Sequence, residues 1–106
     1  MNRGERRALR HYRLRGYRLL EANARVGPYE LDLVLRRGRR VVVVEVKEKG
    51  GADYGHPLEM IDEAKLRRVH SAARGWLASH PEHDGSELVV EAAGVRGRHV
   101  ERVPLT

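Results

Sequence analysis

Hydrophobic and polar positions change period several times along the chain, and each change predicts an element. Over residues 4–15, Glu5, Ala8, Leu9 and Tyr12 recur at i, i+3, i+4 and i+7, the stripe of an amphipathic helix, and Gly16 stops it. Residues 17–23 read as a first strand, and Gly27-Pro28 as a turn. Residues 30–36 alternate, with Leu31, Leu33 and Leu35 on one side and Glu30, Asp32 and Val34 on the other. A turn at Arg37-Gly38-Arg39 leads into Val41, Val42, Val43 and Val44, then Glu45, Val46 and Lys47. A continuous β-branched run marks a strand buried on both faces. The breaker-rich stretch 50–57 reads as a loop and 58–79 as a long amphipathic helix. Its apolar stripe is Leu58, Ile61, Val69, Ala72 and Trp76, with Lys65 in the middle of that stripe. Pro81 ends the helix, and 88–93 with 99–103 read as a hairpin around 94–98. The order α-β-β-β-α-β-β predicts an α/β fold, helices packed on a mixed central sheet, with all 106 residues in one domain.

Charge sharpens this picture. The chain carries a formal +6 and an isoelectric point near 10.3. Of its 21 basic residues only Lys47, Lys49 and Lys65 are lysines. Guanidinium groups fork onto phosphate bidentately, so an arginine-dominated excess favours nucleic acid as a partner. Arg3, Arg6, Arg7, Arg10 and Arg13 fall beside the Glu5 stripe of the first helix and are expected to share one phosphate-binding face, with Lys65 as a further contact. The absence of cysteine excludes disulfides and thiolate metal sites and fits a reducing cytoplasm. No apolar run approaches the roughly 20 residues of a membrane span. The first residues lack an apolar signal region, so a cytoplasmic location is expected.

The candidate chemistry lies where the valine run ends. Buried strands do not finish in a carboxylate and an ammonium unless those charges are used or paired. Period-2 geometry puts Glu45 and Lys47 on one face and Val46 on the other. Asp32, separated from Glu45 by twelve residues, arrives on the neighbouring strand. Two carboxylates suit a hard divalent cation such as Mg²⁺ or Mn²⁺, with the Val46 carbonyl as a further oxygen. Such an ion polarises a scissile phosphate and acidifies a bound water, and Lys47 would orient that water or offset charge on phosphorus. Glu5, directed inward by the first helix, is a third candidate ligand, and Lys65 approaches the same region. The plainer alternatives are an i, i+2 ion pair for Glu45 and Lys47, a half-exposed polar face for Asp32 and Glu30, a favourable first-turn charge for Glu5 and a snorkelling Lys65. Tyr54 and His56 read as ordinary loop residues, and His80 with His83 as a surface turn rather than a metal pair.

The spacing of Asp32 from Glu45-Val46-Lys47 resembles that of the PD-(D/E)xK nucleases. More of the chain, up to about Trp76, resembles the YraN-like bacterial proteins, themselves similar in fold to Holliday-junction resolvases and restriction endonucleases. The resemblance rests on Gly4-Glu5, Gly16-Tyr17, Asn23 with Arg25, Glu30-Leu31-Asp32-Leu33, Val44-Glu45-Val46-Lys47, and Tyr54-Gly55 with Pro57, Glu59 and Lys65. It implies a restriction-endonuclease-like core, metal-binding carboxylates at Glu5, Asp32 and Glu45, Lys47 beside them, and metal-dependent cleavage of DNA phosphodiesters, branched junctions included. Three positions depart from the pattern: Tyr29 replaces a glycine, Lys49 an arginine, and 88–92 lack the usual Arg-Phe-Asp-Val. Two other readings compete: a nucleic-acid-binding module of this fold without chemistry, and a basic scaffold for an acidic protein. A weak homodimer through the final hairpin, favoured by substrate, is also expected, because one site cuts one strand.

Overall fold

The computed structural model describes residues 1–48 and 62–105. Among these run α1 (Arg3–Arg13), β1 (Arg18–Val26), β2 (Tyr29–Arg37), β3 (Arg40–Glu48), α2 (Glu63–Ala78), a 3₁₀ turn (Pro81–His83), β4 (Glu87–Arg96) and β5 (His99–Pro104). The five strands form one sheet in chain order. β3 and β4 pair in parallel and every other neighbouring pair is antiparallel, so the sheet is mixed. A parallel pair needs a crossover, which the α2 segment supplies.

Local chemistry sets the helix starts. The Asn2 side chain accepts from the Glu5 N–H at 2.7 Å while Glu5 Oε1 accepts from the Asn2 N–H at 3.1 Å, a reciprocal capping box. Asp62 caps α2 by accepting from the Lys65 N–H at 2.7 Å.

The two helices cover opposite faces of the sheet. Ala8, Leu9 and Tyr12 of α1 pack with Leu33, Leu35, Val42 and Val44. Val69, Ala72, Ala73 and Trp76 of α2 pack with Leu31, Val34, Val41 and Val43. The valine run is therefore buried on both faces, as its composition predicts.

The α1 face also encloses a charge. Glu91 is 7% exposed and accepts from Arg102 Nε at 3.0 Å and from the Tyr12 hydroxyl at 2.7 Å. The Arg102 guanidinium lies over the Tyr12 ring, 4.6 Å from its centroid. Partnered on both oxygens, this carboxylate is internally satisfied.

Several sequence expectations are corrected. β1 runs on to Val26, because Ala24, Arg25 and Val26 find partners in Leu31, Glu30 and Tyr29. The final turn is Gly97-Arg98 rather than 94–98: Gly94, Val95 and Arg96 pair with Glu101, Val100 and His99, and Gly97 takes the positive φ of +58° that a two-residue hairpin turn demands. The three leucines of β2 do not share a face. Leu33 and Leu35 join the α1 core, but Leu31 joins the α2 core. The change of side falls at Asn23, which sits between the Ala22–Leu33 and Ala24–Leu31 pairs in the left-handed region, φ +52°; the register itself shifts earlier, between Leu19 and Glu21. α2 is described from Glu63, so Lys65 belongs to its first turn rather than to mid-stripe. The expectations for Lys49, Tyr54, His56, Leu58 and Ile61 fall outside the described residues.

Removing Arg102 leaves Glu91 buried against a tyrosine. Arg102→Met should destabilise by about 2–3 kcal/mol, below the 3–5 kcal/mol of a fully buried pair because the guanidinium side chain keeps 25% of its surface in water. Chemical denaturation measures this, and the double variant Glu91→Leu/Arg102→Met should recover most of the loss.

Candidate active site

The end of the central hairpin brings the sequence-predicted charges together. The last ladder pair between β2 and β3 is Leu33 with Val44. One step on, the strands part, and Asp32 Oδ2 takes the Val46 backbone N–H at 2.8 Å. A side chain thus completes the ladder where the main chain leaves it, and this fixes the Asp32 carboxylate beside Glu45. Val46 packs against the α1 core while Glu45 turns to the α2 side, the split that a period of two requires.

Glu45 is 5% exposed. Its Oε1 accepts from the Tyr29 hydroxyl at 2.9 Å, and its Oε2 is buried without any hydrogen-bond partner among the described residues. Burial, and then the Asp32 charge, push the Glu45 carboxyl up to about 7. Asp32 is also raised, first by burial; the Val46 N–H opposes this, and the charge of Glu5 adds to it. Lys65 is lowered by burial and by Lys47, whose ammonium stands against it, while Glu45 and Asp32 hold it up. Asp32, Glu45, Lys47 and Lys65 therefore form one electrostatically coupled group, fed by β2, β3 and α2.

Glu5 stands at the edge of that group. It is 6% exposed, closes the α1 capping box, and accepts from Asn23 Nδ2 at 3.3 and 3.4 Å. Its oxygens are thus occupied as a first-turn cap, and its charge still reaches Asp32. Among the described residues no three acidic or histidine side chains converge into a closed cation cage, so the metal-binding pair would be Asp32 and Glu45. Glu30 is exposed, accepts from Asn23 at 3.3 Å and lies 3.9 Å from Arg25, a surface role. His80 and His83 stack on Trp76, with ring centroids 3.8 and 5.7 Å away, which gives that turn a packing reason.

The five arginines of α1 do not share one face. Arg6 and Arg13 line a shallow cleft with Met1 and Leu9, whereas Arg7 reaches the opposite flank and donates to the Gly97 carbonyl of the β4–β5 turn. Arg10 borders both flanks, and Arg3 pairs with Glu48 at 3.5 Å. Adjacent helical residues are about 100° apart, so a run containing Arg6-Arg7 sweeps round the helix instead of making a stripe.

Two participants were not evident from the sequence. Tyr29, one of the departures from the family pattern, opens β2 opposite Val26 and supplies the hydroxyl that holds Glu45. Asn23, quoted only for its resemblance, bonds Glu5 from a strained strand position. An asparagine inside a strand pattern is the one signal that could have exposed it.

The model of the family described as Uncharacterised protein family UPF0102 matches residues 4–99. A UPF0102 protein of Clavibacter michiganensis is 43% identical over 93 residues, 88% of this chain and 78% of that protein. One of Alkalilimnicola ehrlichii is 48% identical over 79 residues, 74% of this chain and 63% of that protein. One of Beutenbergia cavernae is 42% identical over 95 residues, 90% and 80% of the two chains.

The raised Glu45 carboxyl makes folding stability depend on pH. An unfolded glutamate titrates near 4.5 and the native one near 7, so between these values the native state holds the extra proton. Glu45's contribution to the stability of the metal-free protein is therefore fully present below the lower value and is lost as pH rises through the window. Urea denaturation in chelator across that range should show the decline, and Glu45→Gln should flatten most of it.

Proposed function

The chain belongs to the UPF0102 family, and on that premise we propose that it is a divalent-metal-dependent nuclease hydrolysing nucleic-acid phosphodiesters, with DNA the favoured substrate. The observation that carries the reading is the Glu45 carboxylate: buried, pushed up to about 7, paired with Asp32, and left with Oε2 unpartnered. A buried acceptor without a donor is costly, and two carboxylates sharing one site repel. A cation at Asp32 and Glu45 would relieve both costs. The donor set is all hard oxygen, which suits Mg²⁺ or Mn²⁺, and an open two-carboxylate site leaves room for water and a phosphate oxygen. When bound, the ion supplies Lewis acidity toward phosphate and acidifies water.

The chain's own groups do the rest. The Tyr29 hydroxyl and the Val46 N–H each hold one carboxylate oxygen, so neither acid must reorganise to bind. Lys47, on the Glu45 face of β3, presents its ammonium to the phosphate and offsets the charge that builds on its oxygens. Lys65, lowered by burial and by Lys47 and held up by Glu45 and Asp32, stands as a second cation beside the paired acids. Glu5, through Asn23, fixes α1 to the kinked strand beside Asp32.

Calorimetric titration with Mn²⁺ should show a site that Asp32→Ala and Glu45→Ala each abolish, with protons released on binding below about pH 7. Unchanged affinity in both variants would refute the centre. Lys47→Ala should keep nucleic-acid affinity within a few-fold and lower cleavage by about 10² or more. A wild-type protein that cleaves neither DNA nor RNA with either metal would instead be a binding module of the same fold.

A further inference from the structure

A second basic feature lies away from the carboxylates. The α1 residues Arg7, Arg10 and His11, with Leu14 and Arg15 just beyond, recur at i, i+3, i+4, i+7 and i+8, so they form one stripe. That stripe faces the β4–β5 hairpin, and the two enclose a cleft of about 560 Å³ completed by Arg98 and Val100. Four guanidinium groups from the helix, its final turn and the hairpin turn thus meet at one concavity, and no carboxylate of the described residues lines it.

Two of the four arginines are anchored without being neutralised. Arg7 donates to the Gly97 carbonyl and Arg15 to the His11 carbonyl at 2.9 Å. Each bond fixes a guanidinium through one N–H to a neutral acceptor and leaves its charge and other N–H groups available. Arg102, the neighbouring cation on this side of the sheet, is by contrast paired with Glu91. His11 carries a buried Nε2 with no partner, and burial together with Arg15 and Arg102 lowers its pKa, as a positive potential would. Leu14, 70% exposed, and Val100 give the wall an apolar surface.

We propose that this cleft is a phosphate-binding site that holds the nucleic-acid backbone at a distance from the reacting centre. The chemistry is fork-like guanidinium recognition of phosphate oxygens, with Leu14 and Val100 contacting sugar or base. The cleft is built on α1 and the final hairpin, whereas Glu45 turns to the α2 side of the sheet, so the phosphates it takes are not the one at the metal centre. This deepens the nuclease reading and rests on it only for the identity of the polymer. A free phosphorylated molecule would use the same groups.

Binding measured in chelator separates the cleft from cleavage. Fluorescence anisotropy with short single-stranded and duplex oligonucleotides, over a range of salt, should give Arg15→Gln/Arg98→Gln a weaker affinity on every sequence. On duplex its slope of log affinity against log salt should be shallower by roughly 1.8, two contacts at about 0.9 each. Both side chains are exposed, so the fold should survive, and Arg98→Gln alone should lose about half as much. The matched pair Arg6→Gln/Arg13→Gln removes equal charge from the other flank and should change the slope clearly less. An unchanged slope in the cleft variant, or equal losses in the two pairs, would overturn the proposal. Inorganic pyrophosphate, followed by arginine Nε–H and His11 NMR shifts, tests the free source. Shifts confined to the cleft without oligonucleotide binding would support the anion site and assign it to a small phosphorylated molecule. Absence of both would overturn it. Failure of the nuclease reading would show separately, as intact salt-dependent binding with no metal-dependent cleavage.

Discussion

The burial of the Glu45 carboxylate at the end of an all-valine strand is the constraint around which the rest of this end of the molecule is arranged. β3 lies between β2 and β4 and is covered on both faces, so a side chain at its end leaves water unless the sheet opens. The sheet does open there. The ladder stops at Leu33–Val44, Asp32 takes over the Val46 N–H, and Tyr29 reaches across from the start of β2 to hold Glu45 Oε1. Asn23, in its left-handed conformation opposite this point, stands where the strand changes side and gives α1 a grip through Glu5. Strand kink, ladder end and paired acids are thus parts of one local solution.

A comparison within the same sheet shows that this solution is incomplete. Glu91 is nearly as buried as Glu45. Its oxygens have Arg102 and Tyr12, and those cations and hydroxyls are themselves stacked and packed. Glu45 has one tyrosine, a like-charged neighbour and an oxygen with no hydrogen-bond partner among the described residues. The fold can satisfy a buried glutamate on the α1 face and leaves the one on the α2 face open. That difference between the two buried glutamates is what the proposed metal centre rests on. Lys65 offsets part of the acid charge, but burial, with Lys47 standing against it, lowers its pKa.

The basic surface divides in a similar way. Arginines that meet carboxylates, such as Arg3 with Glu48 and Arg40 with Glu87, settle local charge at exposed positions and contribute little to stability. Between α1 and the final hairpin, Arg7 and Arg15 are held by main-chain carbonyls and keep their charge. That hairpin also ends the sheet, so among the described residues β5 pairs on one side only, beside the cleft.

The sequence alone determined the fold class, the order of the elements and the partners in the central hairpin. These follow from local periodicity: a valine run can only be a strand covered on both sides, and the Glu5-Ala8-Leu9-Tyr12 stripe can only face a core. It also placed Glu45 and Lys47 on one face and Asp32 on the strand beside them, because strand geometry repeats every two residues. The tertiary structure decided the rest, since the rest depends on contacts distant in the chain. Tyr29 meets Glu45 across 16 positions, Asn23 meets Glu5 across 18, and Tyr12 meets Glu91 across 79. No period in the sequence encodes those meetings. The change of side at the left-handed Asn23 put Leu31 in the other core, and helix rotation divided an arginine run into two flanks. Periodicity fixes which way a side chain faces within its own element. Which group waits on the other side, and whether it satisfies the charge it meets, is settled only when the elements pack.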